Sequence, residues 1–63
     1  MEFEIYRDNA GEYRWRLAST NGNILADSGE SYKNRIDCID QVTNIKELAK
    51  AATIRCDNYR IID

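Results

Sequence analysis

Cys38 and Cys56 are the chain's two thiols, and no histidine is present to activate either of them. Cysteine attacks as its thiolate, which requires a neighbouring base or a depressed pKa. Cys38 falls on what reads as the buried stripe of a helix and Cys56 lies in a terminal strand, so both are expected to pack rather than react. They are far apart in sequence, with no CxxC unit and no His, which removes the usual zinc sets. Asp37, Asp40 and Glu47 are acid–base or metal-ligand types, but they share the polar side of the same helix, where a solvated face is expected. The chain has no phosphate-cradling loop, no dinucleotide fingerprint and no nucleophile elbow. No catalytic, cofactor-binding or metal-binding residue is assigned, and the expectation is a protein that is not an enzyme.

One cluster remains that could do chemistry by binding. Tyr6, Arg14 and Arg16 are placed by strand alternation on one sheet face, and a face with aromatic and basic side chains can stack and neutralise single-stranded nucleic acid. The competing reading is a cation–π contact inside a cross-strand charge ladder, with Glu4 and Asp27 cancelling the patch. Nine basic against eleven acidic side chains, a net charge of −2, favour that second reading over dedicated nucleic-acid binding. The free edge of the third strand is a further binding candidate, for an extended peptide.

The elements that position these residues follow from hydrophobic period. Residues 2 to 7 alternate Phe3 and Ile5 with Glu4 and Tyr6, and Glu12 to Ser19 alternates Tyr13, Trp15 and Leu17 with Arg14 and Arg16. Asn9-Ala10-Gly11 reads as a three-residue loop between them, and Asn21-Gly22 as a two-residue loop leading to a third strand at Ile24 to Ala26. That register sets Ile5 opposite Trp15, Phe3 opposite Leu17, Glu4 opposite Arg16, Leu17 opposite Ala26 and Arg16 opposite Asp27. It gathers Phe3, Ile5, Tyr13, Trp15, Leu17, Ile24 and Ala26 on one face, because a one-residue slip would bury charge. From Asn34, an expected N-cap, the period becomes helical to about Ala49, with Cys38, Val42, Ile45 and Ala49 on one stripe and Ile39 and Leu48 beside it. The segment from Thr53 is again β-rich and reads as a fourth strand, bent at Asp57-Asn58. The expected fold is α+β: a two-layer β-β-β-α-β unit, an antiparallel sheet covered by one helix, in a single domain spanning residues 1–63.

A chain of 63 residues buries only about 60% of its unfolded surface and needs additional stabilisation. Metal ligands are missing, and Met1-Glu2-Phe3-Glu4 lacks the apolar core of a signal peptide, which implies a cytoplasmic protein with reduced thiols. No apolar run approaches the ~20 residues of a membrane span. Association with a second copy is what is left. Ile36 falls on the polar side of the helix without an intramolecular partner, and Ile54, Tyr59, Ile61 and Ile62 make the last strand too apolar for a free tail. These five residues are the candidate contacts of a homodimer; no other protein partner is indicated.

Phe3-Glu4-Ile5-Tyr6, Gly11-Glu12-Tyr13-Arg14-Trp15-Arg16-Leu17, Asn21-Gly22, Ser28-Gly29-Glu30 and Tyr32 resemble the YegP-like family of small uncharacterised prokaryotic proteins, over about Phe3 to Ile54. The resemblance implies a β-β-β-α-β unit, present either in tandem in one chain or singly in a dimer that exchanges C-terminal strands. It implies a fold and an assembly, but no substrate.

Overall fold

The computed structural model describes residues 1–57 and the backbone of 59–61. Strands β1 (Glu2–Arg7), β2 (Tyr13–Ala18) and β3 (Ile24–Asp27) form an antiparallel sheet in the order β1-β2-β3. Helix α1 (Arg35–Leu48) follows and tightens into a 3-10 turn over Ala49–Ala51. The α+β fold expected from the sequence is the fold observed, with α1 laid across β1 and β2. The sequence-derived register of β1 and β2 is also observed, including Glu4 opposite Arg16 and Ile5 opposite Trp15.

The second hairpin reaches its register by a different route. Its loop is not the two-residue Asn21-Gly22 turn but Thr20-Asn21-Gly22, closed by Ser19 N–H to Asn23 C=O at 2.8 Å and Gly22 N–H to Ser19 C=O at 2.9 Å. The first loop has the same plan, with Asp8 N–H to Glu12 C=O at 2.8 Å and Gly11 N–H to Asp8 C=O at 3.0 Å. In both, a glycine at φ +81° or +89° supplies the left-handed residue that completes a three-residue loop. A three-residue loop sets Ala18 opposite Ile24, one step out of phase, and an unpaired Leu25 then restores Leu17 opposite Ala26 and Arg16 opposite Asp27. The bulge turns Ile24 from the inner face, where alternation put it, to the outer one, beside Glu4, Arg16 and Ala18.

The core is small. Trp15, Cys38 and Val42 are buried at its centre, and Phe3, Ile5, Tyr13, Tyr32 and Ile45 pack around them. Phe3 meets Trp15 edge to face, with ring centroids 5.5 Å apart. The helical stripe thus runs through Cys38, Val42 and Ile45 as its period implied, but Ala49 is exposed and Leu48 is 68% exposed. Because α1 covers only β1 and β2, Ala26 and the rest of β3 stay exposed. Asn34 occupies the N-cap position without capping: its side-chain amide donates to Asp37 Oδ2 at 3.2 Å instead of accepting an amide N–H from the first turn.

Past the helix, the fourth strand is two short strands, β4 (Ile54–Cys56) and β5 (Tyr59–Ile61), paired antiparallel as a separate hairpin. Among the described residues neither strand touches another element. The Cα radius of gyration is 13.7 Å, whereas a compact chain of this length would have roughly 11 Å. No described helix is long and apolar enough to cross a membrane.

Candidate functional site

The outer face of the sheet brings Tyr6, Arg14 and Arg16 together, and it also gives both guanidiniums an acidic partner. Arg16 Nε donates to Glu4 Oε1 at 2.7 Å, and its guanidinium carbon stands 4.6 Å from the Tyr6 ring centroid. Arg14 Nε donates to Asp8 Oδ2 at 2.9 Å. Asp8 is itself fixed by the first loop, its Oδ1 accepting the N–H groups of Ala10 and Glu12 at 2.9 Å each. The Arg14 hydrogen bond, with these backbone donors, holds the Asp8 carboxyl below the ordinary aspartate range. Conversely Asp8 raises the pKa of Arg14 and Glu4 that of Arg16, chiefly through the same hydrogen bonds. Asp27, opposite Arg16 in register, adds a longer-range pull on Arg14. The geometry is that of a self-neutralised charge ladder, with Asp8 as the member that alternation did not single out.

A second pair of cations went unmarked by the sequence. Arg7 and Arg35 each place a guanidinium carbon 5.3 Å from the centroid of the Tyr13 ring. Register alone puts Arg7 opposite Tyr13, so half of this arrangement was legible. Arg35 arrives from the first turn of α1, which only tertiary packing places there.

The thiols behave unequally. Cys38 is fully buried, and burial pushes its pKa up, away from the thiolate form. Cys56, expected to pack, is exposed, because β4 pairs with β5 and not with the main sheet. Among the described residues no group of three or more His, Cys, Asp or Glu is arranged to hold a metal ion. Between the sheet and α1 runs an open groove of about 560 Å³, lined by Phe3, Ile5, Leu17, Ile39 and Val42 with Lys46 at one side.

Ser28 is a structural residue that periodicity did not reveal. It is buried beside β2, its Oγ accepting the Trp15 N–H at 3.2 Å while its own N–H donates to Trp15 C=O at 2.9 Å. Tyr32 continues the pairing, exchanging both backbone hydrogen bonds with Tyr13 at 2.7 and 2.8 Å. The Ser28–Tyr32 segment thereby extends the sheet along β2 beyond the end of β3.

Fold and surface together define a small α+β module, a three-stranded antiparallel sheet half covered by one helix, with its outer charges internally paired. The chain belongs to the family described as a domain of unknown function (DUF1508), whose model matches residues 8–55. Its relatives include a UPF0339 protein of Neisseria meningitidis serogroup B, 42% identical over 55 residues, covering 87% of this chain and 96% of that protein. A UPF0339 protein of Methanosarcina acetivorans is 43% identical over 53 residues, covering 84% of this chain and 90% of that one. A solution structure of a protein from Haloferax volcanii superposes with a TM-score of 0.82 at 42% identity, covering 87% of this chain and 92% of the other. These findings agree with the YegP-like resemblance and leave the family without an assigned function.

Proposed function

We propose that this chain is a homodimeric structural or interaction module without catalytic activity, working in a reducing cytoplasm. The observation that carries the reading is unsatisfied apolar surface on a chain too open for its length. Ile36 is 65% exposed on α1 and Ile54 50% exposed on β4, and Ile39 and Leu48 add to the same deficit. A β4–β5 hairpin that touches no other described element, together with the enlarged radius of gyration, supports the same conclusion. Burying such surface against a second copy returns roughly 25 cal/mol for each Å² removed from water. Of the candidate contacts, Ile36 and Ile54 are exposed side chains of the described residues; Tyr59 and Ile61 are described only as backbone and Ile62 lies outside the described residues.

One relative is long enough for two such units. The UPF0339 protein encoded in the ptx operon 5′ region of Stutzerimonas stutzeri is 45% identical over 47 residues, a match that takes up only 41% of it. The remaining length is enough for a second unit, so two units in one chain there would correspond to two chains here. The test is light scattering combined with thermal melting across a hundredfold range of concentration. A dimer mass is expected, with a melting temperature that rises with concentration because folding and association are coupled. A monomer mass with concentration-independent melting would refute the dimer.

Peptide addition at the edge of β3 is the second reading, favoured by one observation: all four of its residues are exposed, Ile24 and Leu25 among them. Nucleic-acid binding through Tyr6, Arg14 and Arg16 is weaker, since Glu4 and Asp8 already hold the two guanidiniums.

A further inference from the structure

We infer that Arg7, Arg35 and Tyr13 form a binding site for a phosphate oxyanion, either inorganic phosphate or the headgroup of a small phosphomonoester. The four arginines of the three-stranded sheet and the start of α1 divide into two pairs. Arg14 and Arg16 are each bound to a carboxylate, whereas Arg7 and Arg35 enter no ion pair among the described residues. Both of the latter are exposed, and both lie against one tyrosine ring. With each guanidinium carbon 5.3 Å from the Tyr13 centroid, the two carbons are separated by no more than twice that distance. An anion held by both requires the two guanidiniums to swing to one side of the ring, a movement open to them because both residues are exposed.

Among the described residues no carboxylate stands within ion-pair distance of Arg7 or Arg35, and those on the neighbouring segments make other hydrogen bonds. Asp8 accepts from Arg14, Glu12 from the Ser31 hydroxyl, Glu30 from the Tyr32 hydroxyl and Asp37 from the Asn34 amide. Arg7 Nε donates to Gly11 C=O at 3.3 Å, which anchors its stem and leaves its terminal amino groups uncommitted. A guanidinium presents a planar fork that matches two oxygens of a phosphate, and contact with an aromatic ring restrains the fork before any ligand arrives.

The experiment is an NMR titration of the intact chain, following the Nε–Hε signals of Arg7 and Arg35 and the ring of Tyr13 at constant ionic strength. Inorganic phosphate and phenyl phosphate replace chloride in separate arms. Saturable shifts of all three groups with one common constant are expected. Arg7→Gln and Arg35→Gln should each weaken binding about tenfold or more, as loss of a charge-assisted fork implies, while Arg16→Gln, on the other face of the sheet, leaves it unchanged. Equal affinity for the two probes assigns free phosphate, and tighter binding of phenyl phosphate assigns a phosphomonoester. Arg7→Lys keeps the charge and the fold but removes the fork, and should lose most of the affinity even where Arg7→Gln perturbs the backbone spectrum. Shifts that never saturate, or that persist in both glutamine variants, would overturn the site. Binding of a short single-stranded oligonucleotide ten times tighter than either probe would overturn the small-ligand assignment in favour of nucleic acid.

Discussion

Ser28 does in this sheet what a strand residue would otherwise do, offering a hydroxyl to the buried Trp15 N–H while its own amide returns a bond to Trp15 C=O. Removing that hydroxyl leaves the Trp15 amide without its side-chain acceptor next to the core. Ser28→Ala is therefore expected to cost about 1–3 kcal/mol, the cost of stranding a buried donor. Chemical denaturation should show a lowered midpoint with an unchanged slope. The two thiols give an independent check at this scale. Cys38 is sealed in the core with its pKa raised by burial, and Cys56 stands exposed on β4. A thiol reagent near neutral pH should label Cys56 alone in the native protein and Cys38 only after denaturation. Rapid native labelling of Cys38 would contradict its burial. Protection of Cys56 would instead place it in an interface, because within one chain it is open to solvent.

At the scale of elements, the two hairpins share one device, a three-residue loop ending in glycine at positive φ. No atom lies within 4 Å of where a Cβ would sit on Gly11 or Gly22, so a substitution there meets conformational strain and no collision. Gly11→Ala and Gly22→Ala should each destabilise by about 1–2 kcal/mol through that left-handed backbone. Gly22→Asn should cost less than Gly22→Ala, since asparagine tolerates the region better. Equal losses from the two Gly22 substitutions in thermal melts would show that something other than backbone strain is at work. The bulge at Leu25 is the counterpart of the second loop: one residue of offset at the turn is cancelled by one unpaired residue in β3. Two compensating irregularities thus preserve the pairing of Arg16 with Asp27 and bring Ser28 alongside Trp15.

For the molecule as a whole, the small core and the hairpin that contacts no other described element belong together. A sheet half covered by one helix leaves β3 and the far side of α1 exposed. If the segment from Thr53 contributes to a dimer, deleting residues 53–63 should abolish association and leave little folded monomer, as circular dichroism and light scattering would report. A truncated chain that melts cooperatively as a monomer at the temperature of the intact protein would show that α1 and the three strands suffice.

Strand alternation, two glycine-bearing turns and a change of period at Asn34 were enough to establish the β-β-β-α order, the β1–β2 register and the Cys38-Val42-Ile45 stripe, because these depend on local geometry and on which side of each element is apolar. The same local rules brought Tyr6, Arg14 and Arg16 to one face. They could not reveal that Asp8 would turn from its loop to take Arg14, or that Leu25 would leave the ladder and carry Ile24 outward. Periodicity likewise could not join Arg7 and Arg35, which lie 28 residues apart in the sequence, until α1 docked and set Arg35 against the Tyr13 ring that already faced Arg7. Which charge is paired and which is left free depends on distances between elements, and a linear pattern fixes only the face from which each residue starts.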